Sequence, residues 1–395
     1  YASTQLNPQY SIWRDFDVLN RYVTRCQSLL QASTHDNDVL LYWPLHDPWH
    51  EPQGLRMEVR VHNAHDWFYE HPLGDAAELL DQHGYAFDYV SDRGLASCQP
   101  EGGGNITTPG GSYRAIVVPK ARYVPIETLR KLLELANAGA TIVFWGSLPD
   151  SEPGLAGLEP SADWQAAVAQ AGNLAGNERL RIEGDLPAGL RHAGIRAEAD
   201  LKRHGLAFLR KQFHGKPIYF IQNTSGQTVD TWVDTEESLP TPALMDPATG
   251  RIGVAEINTD ADATQVRLQL APSETVFLTS APASANLPRW PYRNLTPSPI
   301  RVAGPWTVEF VAGGPTLPKS YSIHDPRPWT EAADPAAERF AGTARYVTTF
   351  DVPDGHERWL LDLGDVLGSA RIRLNGVEVG RRIAPPMVAL IENLR

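Results

Sequence analysis

The feature that most constrains this fold is the alternation of near-continuous apolar runs with helical segments between residues 37 and 150. VLLYW (39–43), AIVVP (115–119) and TIVFWG (141–146) lack the in/out alternation of a strand wetted on one face. Such runs suit strands buried on both faces, as in a parallel sheet covered by helices. Between them, DAAELLDQH (75–83) has helical character and ends at Gly84, where a left-handed helix stop belongs. PIETLRKLLELANAG (125–139) opens with Pro125, carries Glu127 in its first turn and stops at Gly139. YAFDYV (85–90) supplies another strand, and residues 97–113 read as loop. Strands and helices alternating at this spacing predict βαβ units and a flavodoxin-like parallel sheet.

Outside that stretch the rhythm differs. Residues 13–31 place Phe16, Leu19, Tyr22, Val23, Cys26, Leu29 and Leu30 at helical spacing. After about residue 195, LAFLRKQF, KPIYFIQN, TVDTWVD, PALMDPATGRI, TQVRLQL and ETVFLTS read as short strands of a β-sandwich. Asp246, Pro247 and Gly250 mark one hairpin. A proline-rich stretch (280–299) reads as a linker, and further short strands follow it. Asn375-Gly376, flanked by Ile372, Leu374, Val377 and Val379, is the strongest hairpin signal in the chain.

Composition narrows the function classes. The 395 residues are 42% hydrophobic and 21% charged, enough apolar material for several cores. A net charge of -12, without a Lys/Arg run, argues against nucleic acid and anionic membranes as partners. No run of about 18 apolar residues is present to span a membrane. Cys26 and Cys98 are too few for a disulfide framework or a CxxC zinc site.

The richest polar cluster is His46-Asp47-Pro48-Trp49-His50-Glu51, just past the end of the first predicted parallel strand. Open α/β sheets bind ligands at that edge. His46, Asp47 and Trp49 are therefore the candidate substrate-binding residues, able to hydrogen-bond and stack a sugar; the alternative is a capped loop packed on a neighbouring domain. His62, His65, Asp66 and His71 lack an H-E-x-x-H pattern, so no metal site is assigned. The Gly102-Gly103-Gly104 run neither follows a strand directly nor opens a helix, which excludes a dinucleotide fingerprint. The turn VVPKARYVP carries Lys120 where a glutamine amidotransferase needs cysteine. Asp362 and Asp365 read as turn residues. Asn105, Asn223 and Asn294 each begin an N-x-[ST] triplet.

In order along the chain, RYVTRCQSLLQ, DVLLYWPLHDPW, GYAFDYVSDRGL, YRAIVVPKARYVPIETLRKLLELANAGATIVFWG, KPIYFIQNTSG, LMDPATGRI, FAGTARYVTTFDV and LLDLGDVLGSARIRLNGVEVG resemble glycoside hydrolase family 106, the α-L-rhamnosidases. The last two also resemble a galactose-binding-like sandwich. The resemblance implies a multidomain α/β plus all-β chain: a remnant of a catalytic barrel (1–36), a flavodoxin-like domain (37–150), a connecting region with a β-sandwich (151–282) and a truncated galactose-binding-like sandwich (283–395). It implies an inverting enzyme, secreted or periplasmic, acting on terminal α-L-rhamnosyl residues of a polysaccharide, with calcium in the parent enzyme and no cofactor assigned to this chain. The acid and base would sit in an N-terminal barrel of the same polypeptide, since no family glutamate matches a position here. The alternative class is a non-catalytic carbohydrate-binding or structural module; an upstream barrel with two suitable carboxylates separates the two.

Overall fold

The computed structural model describes residues 7–8, 10, 12–175, 180–259, 264–282, 284–294, 299–351 and 358–392. The chain divides into two compact units, one from residue 25 to 291 and one formed by the segments before 25 and after 291.

The first unit holds the parallel sheet. Its strands are β1 (Val39–Tyr42), β2 (Phe87–Val90), β3 (Ala115–Val118), β4 (Thr141–Trp145) and β5 (Leu180–Glu183), in the order β2-β1-β3-β4-β5, with every neighbouring pair parallel. That order is flavodoxin-like. The continuous apolar runs are explained by which side each residue faces. Leu40, Tyr42, Ile116, Val118, Ile142 and Phe144 join one core with Leu129, Leu132 and Trp164. Val39, Leu41, Ala115, Val117, Val143 and Trp145 join another with Leu73, Ala76, Leu80, Leu186 and Leu190. Helices Ile126–Asn137 and Ala162–Leu174 therefore cover one face, and Pro72–Gln82 and Leu186–His192 the other. Truncating one such fully buried leucine to alanine costs about 2–5 kcal/mol.

Two local expectations differ from the structure. The sheet takes in β5, from a stretch read as connecting region. As an edge strand it alternates buried and more exposed residues (LRIE), so it lacks the continuous run that marks the inner strands. Residues 97–113, read as loop, form three short antiparallel strands, Gln99–Glu101, Asn105–Thr108 and Gly111–Tyr113. At three or four residues each they show no period, yet Ile106 and Tyr113 are buried in the core.

The same unit carries two antiparallel sheets built from β6 (Leu206–Phe213), β7 (Lys216–Asn223), β8 (Val229–Val233), β9 (Pro242–Met245), β10 (Ile252–Val254), β11 (Gln265–Leu270) and β12 (Thr275–Ser280). The larger, six-stranded sheet begins with the two-residue strand Thr34–His35, which pairs with β6 before the chain enters β1. The turn at Asp246–Gly250 forms as expected: Gly250, at φ 82°, donates to the Asp246 carbonyl. The proline-rich stretch is not a loose tether over residues 284–291, because Val254 of β10 donates its amide to the Pro288 carbonyl and accepts from the Trp290 amide. Gly253 permits that approach; a Cβ there would meet the Trp290 backbone at 2.9 Å.

In the second unit, Trp306–Gly314 pairs with Tyr321–Ile323 and Ala341–Val347 over a core of Val308, Phe310, Ala337 and Phe340. Arg358–Asp362 pairs with Val388–Glu392, and Ala370–Leu374 with Val377–Arg382. Asn375 and Gly376 join the latter pair at φ 49° and 80°, the double positive φ of a two-residue turn. Asp362 accepts from the Gly364 amide, the turn role its sequence context predicts. Helix Phe16–Leu30 forms where the spacing predicts.

Candidate functional site

In a sheet of this order the ligand crevice opens at the carboxyl ends of the strands, between the turns after β1 and β3. After β1 the chain reaches buried Pro44 and enters a short helix, His46–His50, where the sequence reading places a loop. That helix aims three side chains at different partners. Asp47 Oδ1 accepts from the Tyr123 amide and Oδ2 from the Arg122 amide, both at 2.8 Å, which ties the turn after β1 to the turn after β3. Burial pushes the Asp47 carboxyl above the ordinary carboxylate range, against the pull of those two amides.

His46 Nε2 lies 3.3 Å from Asp92 Oδ2, and its ring meets Trp49 edge-on at 5.7 Å. Asp92, at the start of helix Asp92–Ala96, takes Tyr42 and Thr128 hydroxyls on Oδ1 at 2.7 and 2.6 Å. Burial alone raises its carboxyl, but His46, Thr128 and Tyr42 outweigh that and hold it below the usual range. His50 stacks on Tyr123 at 3.7 Å and accepts from the Gly154 amide at 3.1 Å. Trp49 remains 44% exposed, and the Arg122 side chain on the facing turn is exposed as well.

The structure thus brings His46, Asp47 and Trp49 to one sheet edge, but gives them unequal work. Every oxygen of Asp47 and Asp92 is engaged inside the protein. An acid–base pair for glycoside cleavage needs two carboxyl groups free to face a sugar; Asp47 and Asp92 are held by amides, hydroxyls and an imidazole instead. Trp49 presents a free ring face, which suits stacking on a sugar. Sequence reasoning missed Arg122, Tyr123 and Asp92, because their proximity to the HDPW turn depends on strand order.

A second charged cluster sits at the opposite, amino edge of β1. Arg210, 1% exposed, pairs with Asp36 and Glu198 at 3.0 Å and with Asp38. Arg196 pairs with Asp38 at 2.7 Å and with Glu237. Tyr219 donates to Glu198 at 2.8 Å. Burial pulls the Arg210 guanidinium down, but Asp38, Asp36 and Glu198 hold it well above its ordinary value.

Calcium, implied for the parent enzyme, needs six to eight oxygen ligands. Among the described residues no group of three or more His, Cys, Asp or Glu is set to hold a metal, and the carboxylates of this cluster are bound to arginines. The residues described here do not fit a calcium site. His71 bonds the Asp66 carbonyl, and His65 packs on Tyr69. Lys120 lies 4.5 Å over the Trp145 ring. Asn223 is 1% exposed and donates to the Gln227 and Leu270 carbonyls, so its N-x-[ST] triplet is no acceptor in the folded chain. Asn105 lies partly buried in a short strand, and Asn294 is exposed. Among the described helices none is long and apolar enough to cross a membrane.

Residues 73–258, from helix Pro72–Gln82 to just beyond β10, match the alpha-L-rhamnosidase family, glycoside hydrolase family 106. That match supports assignment of the stretch to glycoside hydrolase family 106. A solved rhamnosidase from Novosphingobium sp. PP1Y superposes with a TM-score of 0.71 at 23% identity, covering 98% of this chain and 36% of that one. A putative beta-glucuronidase from Formosa agariphila is 23% identical over 289 residues, 72% of this chain and 22% of that protein. The chain therefore spans about a third of the length of the first and about a fifth of the second. The HDPW turn lies just before the stretch that matches family 106.

Proposed function

We propose that this chain is the part of a secreted or periplasmic α-L-rhamnosidase that follows the catalytic barrel, and that it supports cleavage of terminal α-L-rhamnosyl residues of a polysaccharide without supplying the acid or base. The family match carries this reading. The commitment of Asp47 and Asp92 to internal hydrogen bonds supports the accessory role. In the whole enzyme the acid would protonate the glycosidic oxygen and the base would activate water across the ring. Trp49 is the residue of this chain proposed to touch the sugar. His46 meets its ring from the side, and Asp47 fixes the turn that carries both.

The test uses the full-length parent and the isolated 395-residue chain on an aryl α-L-rhamnoside and an aryl β-D-glucuronide. The parent is expected to turn over the rhamnoside, and the isolated chain neither substrate. Trp49→Ala in the parent should raise KM roughly three- to tenfold with kcat little changed, the size of a lost stacking contact. Turnover by the isolated chain, abolished by one Asp or Glu substitution within it, would overturn the accessory role. A parent that cleaves only the glucuronide would overturn the substrate.

A further inference from the structure

The parallel sheet is finished differently at its two edges. At the amino edge the helix-to-strand returns are short, residues 83–86 and 138–140. At the carboxyl edge the connections after β1 and β4 run over residues 43–71 and 146–161, far beyond the roughly two to six residues of an ordinary strand-to-helix turn. Those two connections also carry the apolar side chains that the fold leaves in water. Leu55 is 97% exposed and Leu158 77%, with Val61 and Leu155 between them, and Tyr69 follows. Among the described residues elsewhere in this unit, no large apolar side chain exceeds 47%.

The turns that present these side chains are built. Gly54 lies so close to the Pro48 and Trp49 carbonyls that a Cβ would collide with both oxygens, which seats Leu55 beside helix His46–His50. Trp67 stacks on Trp43 at 5.3 Å and donates its indole N–H to the Arg60 carbonyl at 2.9 Å, holding the turn before Val61. On the other connection, Ser151 donates to the Gly157 carbonyl at 3.1 Å and closes the turn that carries Leu155. The Gly154 amide, next to Leu155, donates to His50. Gly54 and Gly154 thus tie both connections to the helix that carries Trp49. A single exposed leucine is ordinary, but a group of them on fixed turns at one edge marks a surface that another protein surface covers.

The occupant follows from Trp49. On the accessory reading above, this ring touches the sugar while the acid and base come from a barrel outside this chain. The two carboxyl groups of an inverting glycosidase lie roughly 6.5–9.5 Å apart across the bond they cut, so a sugar on Trp49 brings them within about one ring of this edge. A second copy of the chain seated here would keep them away. The solved rhamnosidase that superposes on 98% of this chain has 36% of its length in the match, so most of an enzyme of that size lies outside it. We propose that the carboxyl edge of the sheet is the docking face for the catalytic barrel of the same polypeptide. Leu55, Val61, Leu155 and Leu158 are covered by apolar barrel side chains, and Trp49 stays at the rim as one wall of the sugar site. The proposal rests on the accessory reading and adds the surface through which that role is exerted.

Hydroxyl-radical footprinting read by mass spectrometry compares the full-length parent with the isolated 395-residue chain. Leu55, Leu155 and Leu158 are expected to oxidise several-fold more slowly in the parent. Leu55→Glu combined with Leu155→Glu should leave the melting temperature of the isolated chain unchanged, since both side chains stand in water there. In the parent the same pair should return Leu158 to its isolated-chain rate. It should also lower kcat/KM on an aryl α-L-rhamnoside about tenfold or more, as a misplaced wall of the site would. Equal oxidation in the two proteins overturns the docking. Slow oxidation already present in an isolated chain that sediments as a dimer overturns it too, as does protection in the parent that survives both glutamates. The footprint does not depend on the reaction. A parent that is protected but leaves the rhamnoside uncut keeps the docking and fails the substrate, whereas one that cuts it without protection fails the docking alone.

Discussion

The two edges of strand β1 use carboxylates in opposite ways. At the amino edge, Asp36, Asp38 and Glu198 are held by guanidinium groups, with Arg210 almost wholly out of water. At the carboxyl edge, Asp47 and Asp92 are held by amides, hydroxyls and one imidazole, and exposed Trp49 lies beside them. The amino edge joins the parallel sheet to the antiparallel one through charges that cannot be left alone. The carboxyl edge joins two turns through neutral donors and keeps a surface open. A fold can thus anchor one end of a sheet with charge and leave the other open to solvent.

Removing a charge at the amino edge should break the comparison most severely. Arg210→Met strands buried carboxylates without a counter-charge, which costs about 3–5 kcal/mol. Urea unfolding of the 395-residue chain measures it, and a loss no larger than that of Asp47→Ala would erase the contrast. Asp47→Ala leaves the Arg122 and Tyr123 amides without their acceptor, at a cost of about 1–3 kcal/mol.

The carboxyl edge also contains its own contrast in acid. Asp47 has a raised carboxyl pKa and Asp92 a lowered one. Carboxyl ¹³C titration of the folded chain should therefore show Asp47 taking its proton at higher pH than Asp92. For Asp92 the folded value lies below the unfolded value of about 3.9. Its contribution to stability is complete above that pH and is lost as pH falls through the lower, folded value. For Asp47 the shift is reversed, so its ionisation opposes folding above the raised folded value, and that opposition fades as pH falls to the unfolded one. Asp92→Asn should flatten the loss of stability on the acid side; an unchanged acid profile would remove Asp92 from the account. The smallest effect belongs to Trp49→Ala, expected within about 0.5 kcal/mol of wild type by thermal unfolding, as suits an exposed ring.

Most of the parallel sheet was legible because burial on both faces writes itself into the sequence as unbroken apolar runs. The edge strand Leu180–Glu183 left no such mark, since one side of an edge is not covered. Asn375-Gly376 was legible because only a few residues accept its backbone. The HDPW turn was legible because it follows a strand stopped by Pro44. Its partners were not, since Arg122, Tyr123 and Asp92 reach it only through the β2-β1-β3 order. The convergence of His35, Asn37 and Tyr113 on Asp88 was hidden for the same reason: these residues come from separate stretches that strand pairing brings together. Asn223 was misleading as a glycosylation triplet, because a three-residue motif says nothing about burial.

The pairing of Thr34–His35 with β6 has a consequence for how the chain is made. Asp38 and Arg210 are 172 positions apart. A ribosome adding about 5–20 residues per second needs on the order of 10–35 seconds between them. For that interval β1 can gather its helices and Asp38 can meet Arg114 and then Arg196, but Thr34–His35, the first strand of the antiparallel sheet, has no neighbour. The arrival of β6 gives that first strand its partner, so a nascent chain stalled short of residue 206 is expected to keep Thr34–His35 unpaired.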